Sequence, residues 1–230
     1  GDDGIALAYA MALIADRTIP HPPLDAVVTV DEEVGMGGAT VFDASLLTAS
    51  LFINMDSEEE GVFCVSCAGG RRSQMHIPVA TEPADQLPDH EHLVFRRITA
   101  GGLAGGHSGL EIIKERGNSN KLLARVLDDI VRRYPCSIAS IHGGIAANAI
   151  PKESWAVVAV RADDKELTAL LDQWEKIFRH ELRGSDGAGF TLTMSEAEAA
   201  DRVLTGESAE RVLSAALLVP DGISSMDMTL

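Results

Sequence analysis

The stretch Leu93-Val94-Phe95-Arg96-Arg97-Ile98-Thr99 decides how the second half of this chain folds. It is rich in β-branched and aromatic residues and therefore predicts a strand. Beyond it the sequence predicts, in order, a helix over 118–133, strands over 137–142 and 154–160, a helix over 163–182 and a strand over 190–194. The order β-α-β-β-α-β is that of a ferredoxin-like split, a compact module of helices on a sheet.

The helical predictions rest on the spacing of apolar residues. One face of residues 118–133 carries five aliphatic side chains at helical spacing, namely Leu122, Leu123, Val126, Leu127 and Ile130. Residues 163–182 are amphipathic as well, and residues 207–218 predict one more helix. We therefore expect the helices to bury their apolar faces in a shared core.

Two polar positions stand out in this module. His107 lies in Gly105-Gly106-His107-Ser108-Gly109, where glycine allows the backbone to approach a ligand closely. Asn148 begins Asn148-Ala149-Ile150-Pro151, which suits either a turn or the presentation of an amide to a substrate carboxylate. A single loop histidine is more often only solvated, so the pattern alone leaves both roles open.

Acidic residues follow two predicted strands in the first half of the chain. Residues 24–30 lead into Asp31, Glu32 and Glu33, and residues 51–55 lead into Asp56. Residues 37–50 leave room for a short helix, so the two runs predict a parallel unit whose strands finish at one sheet edge. Open α/β sheets bind ligands at that edge. The carboxylates are then either a solvated loop or the ligands of a cation.

The chain opens with Gly1-Asp2-Asp3-Gly4, followed by residues 5–15, which are apolar on every face. Such a segment predicts an interior helix. Asp2 or Asp3 would cap that helix. Alternatively, one carboxylate caps the helix while the other reaches a metal ion, and the pattern does not decide between these two hypotheses.

Composition limits the partners. With 35 acidic and 19 basic residues the formal charge is −16, which argues against nucleic acid or an anionic membrane and suits a protein that binds cations. Three cysteines, an odd number, favour reduced thiols over a disulfide framework, so we expect a cytoplasmic protein. The chain begins at Gly1 rather than at methionine, and we expect it to be a fragment.

Seven motifs, taken in order, resemble those of the cytosolic Xaa-His dipeptidases, also called aminoacyl-histidine or cytosol non-specific dipeptidases. This family belongs to the two-zinc exopeptidases that include glutamate carboxypeptidase and aminoacylase. The motifs span nearly the whole chain: Gly-Asp-Asp-Gly at 1–4, Thr-Val-Asp-Glu-Glu at 29–33, Asn-Met-Asp-Ser-Glu-Glu-Glu-Gly at 54–61, Cys-Ala-Gly-Gly at 67–70, Gly-Gly-His-Ser-Gly at 105–109, Gly-Asn-Ser-Asn-Lys-Leu-Leu-Ala-Arg at 117–125, and Asn-Ala-Ile-Pro at 148–151.

The resemblance implies an α/β protein with part of a doubly wound catalytic sheet domain plus a ferredoxin-like α+β lid and dimerisation domain. We expect the partial catalytic, metal-binding domain at 1–70, the lid at 71–218 and the return to the catalytic domain at 219–230. The implied activity is metal-dependent hydrolysis of dipeptides of the Xaa-His type with broad specificity. The implied partners are the dipeptide and a second copy of the chain, bound through the lid.

Residue roles follow from the same resemblance. Asp2 matches the carboxylate that bridges two zinc ions, and Glu33 and Asp56 match ligands of one ion each. Glu32 matches the general base. His107 matches the lid histidine that stabilises the tetrahedral intermediate, and Asn148 matches a substrate-binding position. Manganese or cobalt is the alternative to zinc.

The chain departs from the family pattern in three places. An upstream His-x-Asp motif and a final histidine ligand are not in this sequence, and Ala147 stands where the family commonly has arginine. We therefore expect residues 1–230 to be inactive alone. Two alternatives remain: another amidohydrolase of the superfamily, such as an aminoacylase or tripeptidase, or a non-catalytic dimerisation or binding module.

Overall fold

The computed structural model describes residues 3–57, 60–66 and 69–226, and the chain divides into two units, Gly1–Arg72 and Ser73–Leu230. The first unit contains helix α1 (Gly4–Ala15), the short helix α2 (Gly37–Val41) and a 3-10 turn at Ala44–Leu46. Asp3 caps α1, because its Oδ1 accepts a hydrogen bond from the Ala6 amide at 3.2 Å. Asp2 lies outside the described residues.

The strands expected in the first unit are not formed, so that prediction was wrong. Residues 24–30 and 51–55 have no strand conformation, and neither do residues 62–66, whose sequence also predicts a strand. None of the described residues of this unit is buried. Phe52 is 88% exposed, and Met11 of α1, expected in an interior helix, is 63% exposed. A strand is stabilised by hydrogen bonds to a neighbouring strand and by burial of one face. Among the described residues, these segments have neither a neighbouring strand nor a buried face.

The second unit contains the predicted split. Its elements are β1 (Thr81–Pro83), β2 (Val94–Gly101), β3 (Gly106–His107), α3 (Ser119–Arg133), β4 (Cys136–Gly143), β5 (Ala149–Ile150), β6 (Ser154–Val160), α4 (Asp164–Glu181), β7 (Thr191–Glu196), β8 (Arg202–Leu204) and α5 (Gly206–Leu218). Strands β4, β6, β2 and β7 form one antiparallel sheet in that order, while β1 pairs with β8 and β3 with β5. The predicted β-α-β-β-α-β order is confirmed, with every boundary within two residues.

One face of the four-stranded sheet and helices α3 and α4 enclose the main core. The predicted face of α3 is buried: Leu122, Leu123, Val126, Leu127 and Ile130. Phe178 of α4 is fully buried and meets Phe190 edge to face, with ring centroids 5.5 Å apart. Burial of side chains of this size stabilises a fold by about 1.5–3 kcal/mol each. Helix ends are also satisfied, since Asn118 caps α3 and Asp163 caps α4.

The opposite face of the sheet is partly open. Alternation along the strands places Arg97 of β2 and Trp155 of β6 on this face, away from the helices. A small second cluster around Leu87, Ala159 and Val203 covers one end of it. None of the described helices has both the length and the apolar character that a membrane span requires.

Candidate functional site

A cleft of about 590 Å³ opens in the second unit where the β3–β5 ladder meets the ends of β4 and β6. Its polar lining consists of His107, His142, Asn148, Lys152 and Glu153, and Trp155 forms part of its wall. Glycines and small residues supply much of the remaining lining, so backbone is accessible there. The cleft therefore combines hydrogen-bonding groups with room for a small ligand.

His107 is held in one orientation by the backbone that follows it. The amides of Gly109 and Leu110 both donate hydrogen bonds to His107 Nδ1, each at 3.1 Å. A ring nitrogen that accepts a hydrogen bond carries no proton, so the neutral imidazole has its proton on Nε2. The His107 side chain is exposed, which leaves Nε2–H available as a donor to a ligand.

Glu111 holds the same loop through a hydrogen bond and two ion pairs. Its Oε2 accepts from the His107 amide at 3.0 Å, and its Oε1 lies 2.6 Å from Lys114 Nζ and 3.2 Å from Arg116 Nη2. The hydrogen bond from Lys114, followed by that from the His107 amide, lowers the pKa of Glu111 to about 2. Arg116 also donates to the Gly105 carbonyl. The loop around His107 is thus built from charge-assisted bonds.

Asn148 lies beside His107, although 41 positions separate them in sequence. His107 pairs with Ala149 in the β3–β5 ladder, and the Ser108 amide donates to the Asn148 carbonyl at 2.8 Å. The Asn148 side chain is exposed and lines the cleft. The structure therefore brings together the two lid residues that the sequence singled out separately, while their roles toward a substrate stay predictions.

His142 and Trp155 are cleft residues that the sequence analysis missed. Their rings stack with centroids 4.2 Å apart. The guanidinium of Arg97, on the neighbouring strand β2, lies 3.9 Å over the Trp155 ring. Such contacts of a cation with an aromatic face are attractive. The alternation of β6, with Trp155 out of phase with its buried residues Ala156 and Val158, is the signal that could have identified this wall.

The predicted metal ligands do not assemble among the described residues. Glu32, Glu33 and Asp56 are all exposed, and no three histidine, cysteine, aspartate or glutamate side chains in the described ranges form a group that could hold a metal ion. The Glu32 carbonyl accepts from the Gly35 and Met36 amides in a tight turn. Asp2, the predicted bridging ligand, lies outside the described residues. In the conformation of the described residues, Glu33 and Asp56 do not form a metal centre.

Comparison with known proteins finds a family match within the second unit. Residues 98–186 match the family of the peptidase dimerisation domain. This segment runs from within β2 to the turn after α4, and it contains the His107 loop and the residues that line the cleft. The mixed α/β fold predicted for this part of the chain is therefore confirmed, and the segment is similar to peptidase dimerisation domains.

Two individual proteins extend the similarity. The chain is 39% identical over 184 residues to the cytosol non-specific dipeptidase of Escherichia coli (strain K12), covering 79% of this chain and 36% of that protein. It also superposes on the crystal structure of aminoacylhistidine dipeptidase from Vibrio alginolyticus with a TM-score of 0.74 at 28% identity, covering 100% of this chain and 46% of that one. The resemblance stated from the motifs is confirmed. The chain spans less than half the length of either relative.

Proposed function

We propose that this protein takes part in the hydrolysis of dipeptides, with His107 and Asn148 contacting the substrate. The observation that carries the proposal is the fixed ring of the exposed His107, whose Nδ1 accepts two backbone amides and which lines the same cleft as Asn148. The similar E. coli protein is named a non-specific dipeptidase and the similar V. alginolyticus protein an aminoacylhistidine dipeptidase. Both names support broad dipeptide specificity that includes Xaa-His.

A fixed N–H donor is what peptide hydrolysis needs from a lid. When water adds to the scissile carbonyl, its oxygen becomes an oxyanion, and a donor already aimed at that position stabilises it without reorganising. In this hypothesis His107 Nε2–H is that donor. The Asn148 amide has two N–H groups and can bind the substrate carboxylate. Loss of a single such oxyanion donor lowers kcat by about 10²–10³-fold in other hydrolases.

The remaining parts of the proposal rest on the sequence resemblance. They are two zinc ions, or manganese or cobalt, held by Asp2, Glu33 and Asp56, with Glu32 as the general base. Assembly as a homodimer rests on the match to a dimerisation domain. A cytoplasmic location is proposed because the E. coli relative is named a cytosol enzyme.

A chimeric enzyme tests the proposal. Residues 73–226 replace the matching segment of the E. coli cytosol non-specific dipeptidase, so that the His107 loop operates on an established dipeptidase. We expect the chimera to hydrolyse Xaa-His dipeptides, and His107→Ala to lower kcat by about 10²–10³-fold with a smaller change in KM. His90→Ala is the matched control, since His90 is another exposed histidine of this unit that does not line the cleft. It should leave both constants unchanged.

The outcomes separate the competing hypotheses. An active chimera that tolerates His107→Ala would refute the proposed role of His107. A folded, dimeric chimera without turnover of any dipeptide would favour a dimerisation or binding module. Preference for N-acyl amino acids or tripeptides in a substrate panel would indicate an aminoacylase or a tripeptidase.

A further inference from the structure

The loop that carries His107 is tied at both of its ends to one carboxylate outside it. Residues 104–117 lie between the end of β2 and the start of α3, and most of the residues around His107 are exposed. Exposed glycine-rich loops are mobile unless other contacts hold them. The contacts at the two ends of this loop therefore decide whether His107 occupies a defined position.

Asp186 makes those contacts with both of its oxygens. Its Oδ2 accepts from the Ala104 amide at 3.0 Å, and its Oδ1 accepts from the Gly117 amide at 3.1 Å. The two amides are 82 and 69 positions away from Asp186 in sequence. One carboxylate thus closes the loop by two charge-assisted bonds, a geometry that needs two acceptor oxygens on one side chain.

The turn that carries Asp186 is itself firmly placed. The amides of Ser185 and Gly187 both donate to the Leu182 carbonyl at the end of α4, each at 3.0 Å, and the Gly189 amide donates to the Asp186 carbonyl at 3.1 Å. Gly189 also packs backbone to backbone against Gly102, with no room for a Cβ on either residue. The turn is therefore a rigid support that contacts the chain just before the His107 loop.

We propose that Asp186 is a positioning residue for His107. It acts through the Ala104 and Gly117 amides rather than by touching a substrate, and together with Glu111 inside the loop it sets where His107 stands over the cleft. The effect of Asp186 on loop geometry is independent of the chemistry at the cleft. Its consequence for turnover rests on the proposed function.

The test uses residues 1–230 labelled for NMR, with three variants at one position. Asp186→Ala removes both acceptors, Asp186→Asn leaves one oxygen acceptor, and Asp186→Glu restores two on a longer side chain. We expect amide hydrogen exchange at Ala104 and Gly117 to accelerate about tenfold or more in Asp186→Ala, by less in Asp186→Asn, and least in Asp186→Glu. The ¹⁵N shifts of the His107 ring should move in the same order, because the Gly109 and Leu110 bonds to Nδ1 loosen.

Glu175→Gln is the matched control. Glu175, in α4, also accepts a hydrogen bond from a backbone amide, but its donor is Leu192 in β7, at 2.8 Å, and not an amide of residues 104–117. This variant should alter exchange at Leu192 and leave the His107 ring signals where they are. The comparison separates a general loss of carboxylate-to-amide bonds from a specific effect on His107.

Unchanged exchange at Ala104 and Gly117, or unchanged His107 ring signals, in Asp186→Ala would overturn the proposal. If Asp186→Ala unfolds the unit, the graded response of Asp186→Asn and Asp186→Glu decides in its place. In the chimeric dipeptidase, Asp186→Asn should lower kcat more than it changes KM. Altered ring signals with unaltered kcat would leave the positioning role standing and count against the proposed function instead.

Discussion

Substitution of Gly106 by alanine should disorder the His107 loop. Gly106 precedes His107 and has a φ of +137°, a backbone conformation that L residues rarely adopt. A Cβ at this position would overlap Arg116 Nη1 and Glu111 Oε2. Alanine therefore adds backbone strain and also displaces the carboxylate that accepts from the His107 amide.

The magnitude follows from the backbone. Residues held in such sparsely populated conformations cost about 1–3 kcal/mol each. A loop that leaves its native geometry is no longer strained, so the unfolding free energy should fall by no more than about 3 kcal/mol. Gly184→Ala is the control: Gly184 has no atom within 4 Å of an added Cβ and no positive φ. It should change stability by less than about 0.5 kcal/mol.

Urea unfolding followed by tryptophan fluorescence measures the effect, because both tryptophans, Trp155 and Trp174, lie in the second unit. NMR of the His107 ring in the same samples reports whether Nδ1 still accepts the Gly109 and Leu110 amides. If Gly106→Ala matches Gly184→Ala in stability and keeps the native ring signals, the argument that this loop geometry requires glycine is wrong.

Three further outcomes are expected. The bonds to the Glu111 carboxylate should be intact above its ordinary pKa of 4.5 and be lost as pH falls through about 2, because the folded state depresses that pKa; an acid titration of the His107 amide shift checks this. Phe178→Ala should lower the unfolding free energy by about 3–5 kcal/mol in urea, since the ring is fully buried, whereas Leu218→Ala, 80% exposed, should change it by less than about 0.5 kcal/mol. Residues 1–230 alone should bind zinc weakly in calorimetry and show no dipeptide turnover, since the described residues contain no group able to hold a metal; tight binding of two zinc ions with turnover would contradict this.

The second unit was predictable because its signals are local and agree with one another. The aliphatic spacing of α3 identified a face that is buried, and Asn118 marks the position where that helix is capped. The β-branched run of β6 was predicted with its observed bounds, Ser154–Val160. In each case burial against other elements of the same unit stabilises the conformation that the pattern favours. The order of these elements along the chain was then enough to predict the ferredoxin-like split.

The cleft was only half predictable, since its residues meet through pairings too short to leave a pattern. Strands β3 and β5 have two residues each, so no alternation could indicate that His107 and Ala149 are partners. The glycines around His107 signalled an unusual backbone. Nothing in the sequence indicated which distant carboxylate, Asp186, would accept from both ends of that loop.

In the first unit a correct local signal led to the wrong structure for a physical reason. Residues 51–55 and 62–66 have the composition of buried strands, yet Phe52 and Val65 are 88% and 95% exposed. β-Propensity expresses how well a side chain fits a pleated, half-buried surface, so it has no effect where no neighbouring strand provides that surface. The acids predicted to converge depend on those strands for their placement. Exposed Glu33 and Asp56 are therefore the expected consequence of unpaired strands, and a metal site built on them requires the sheet to form first.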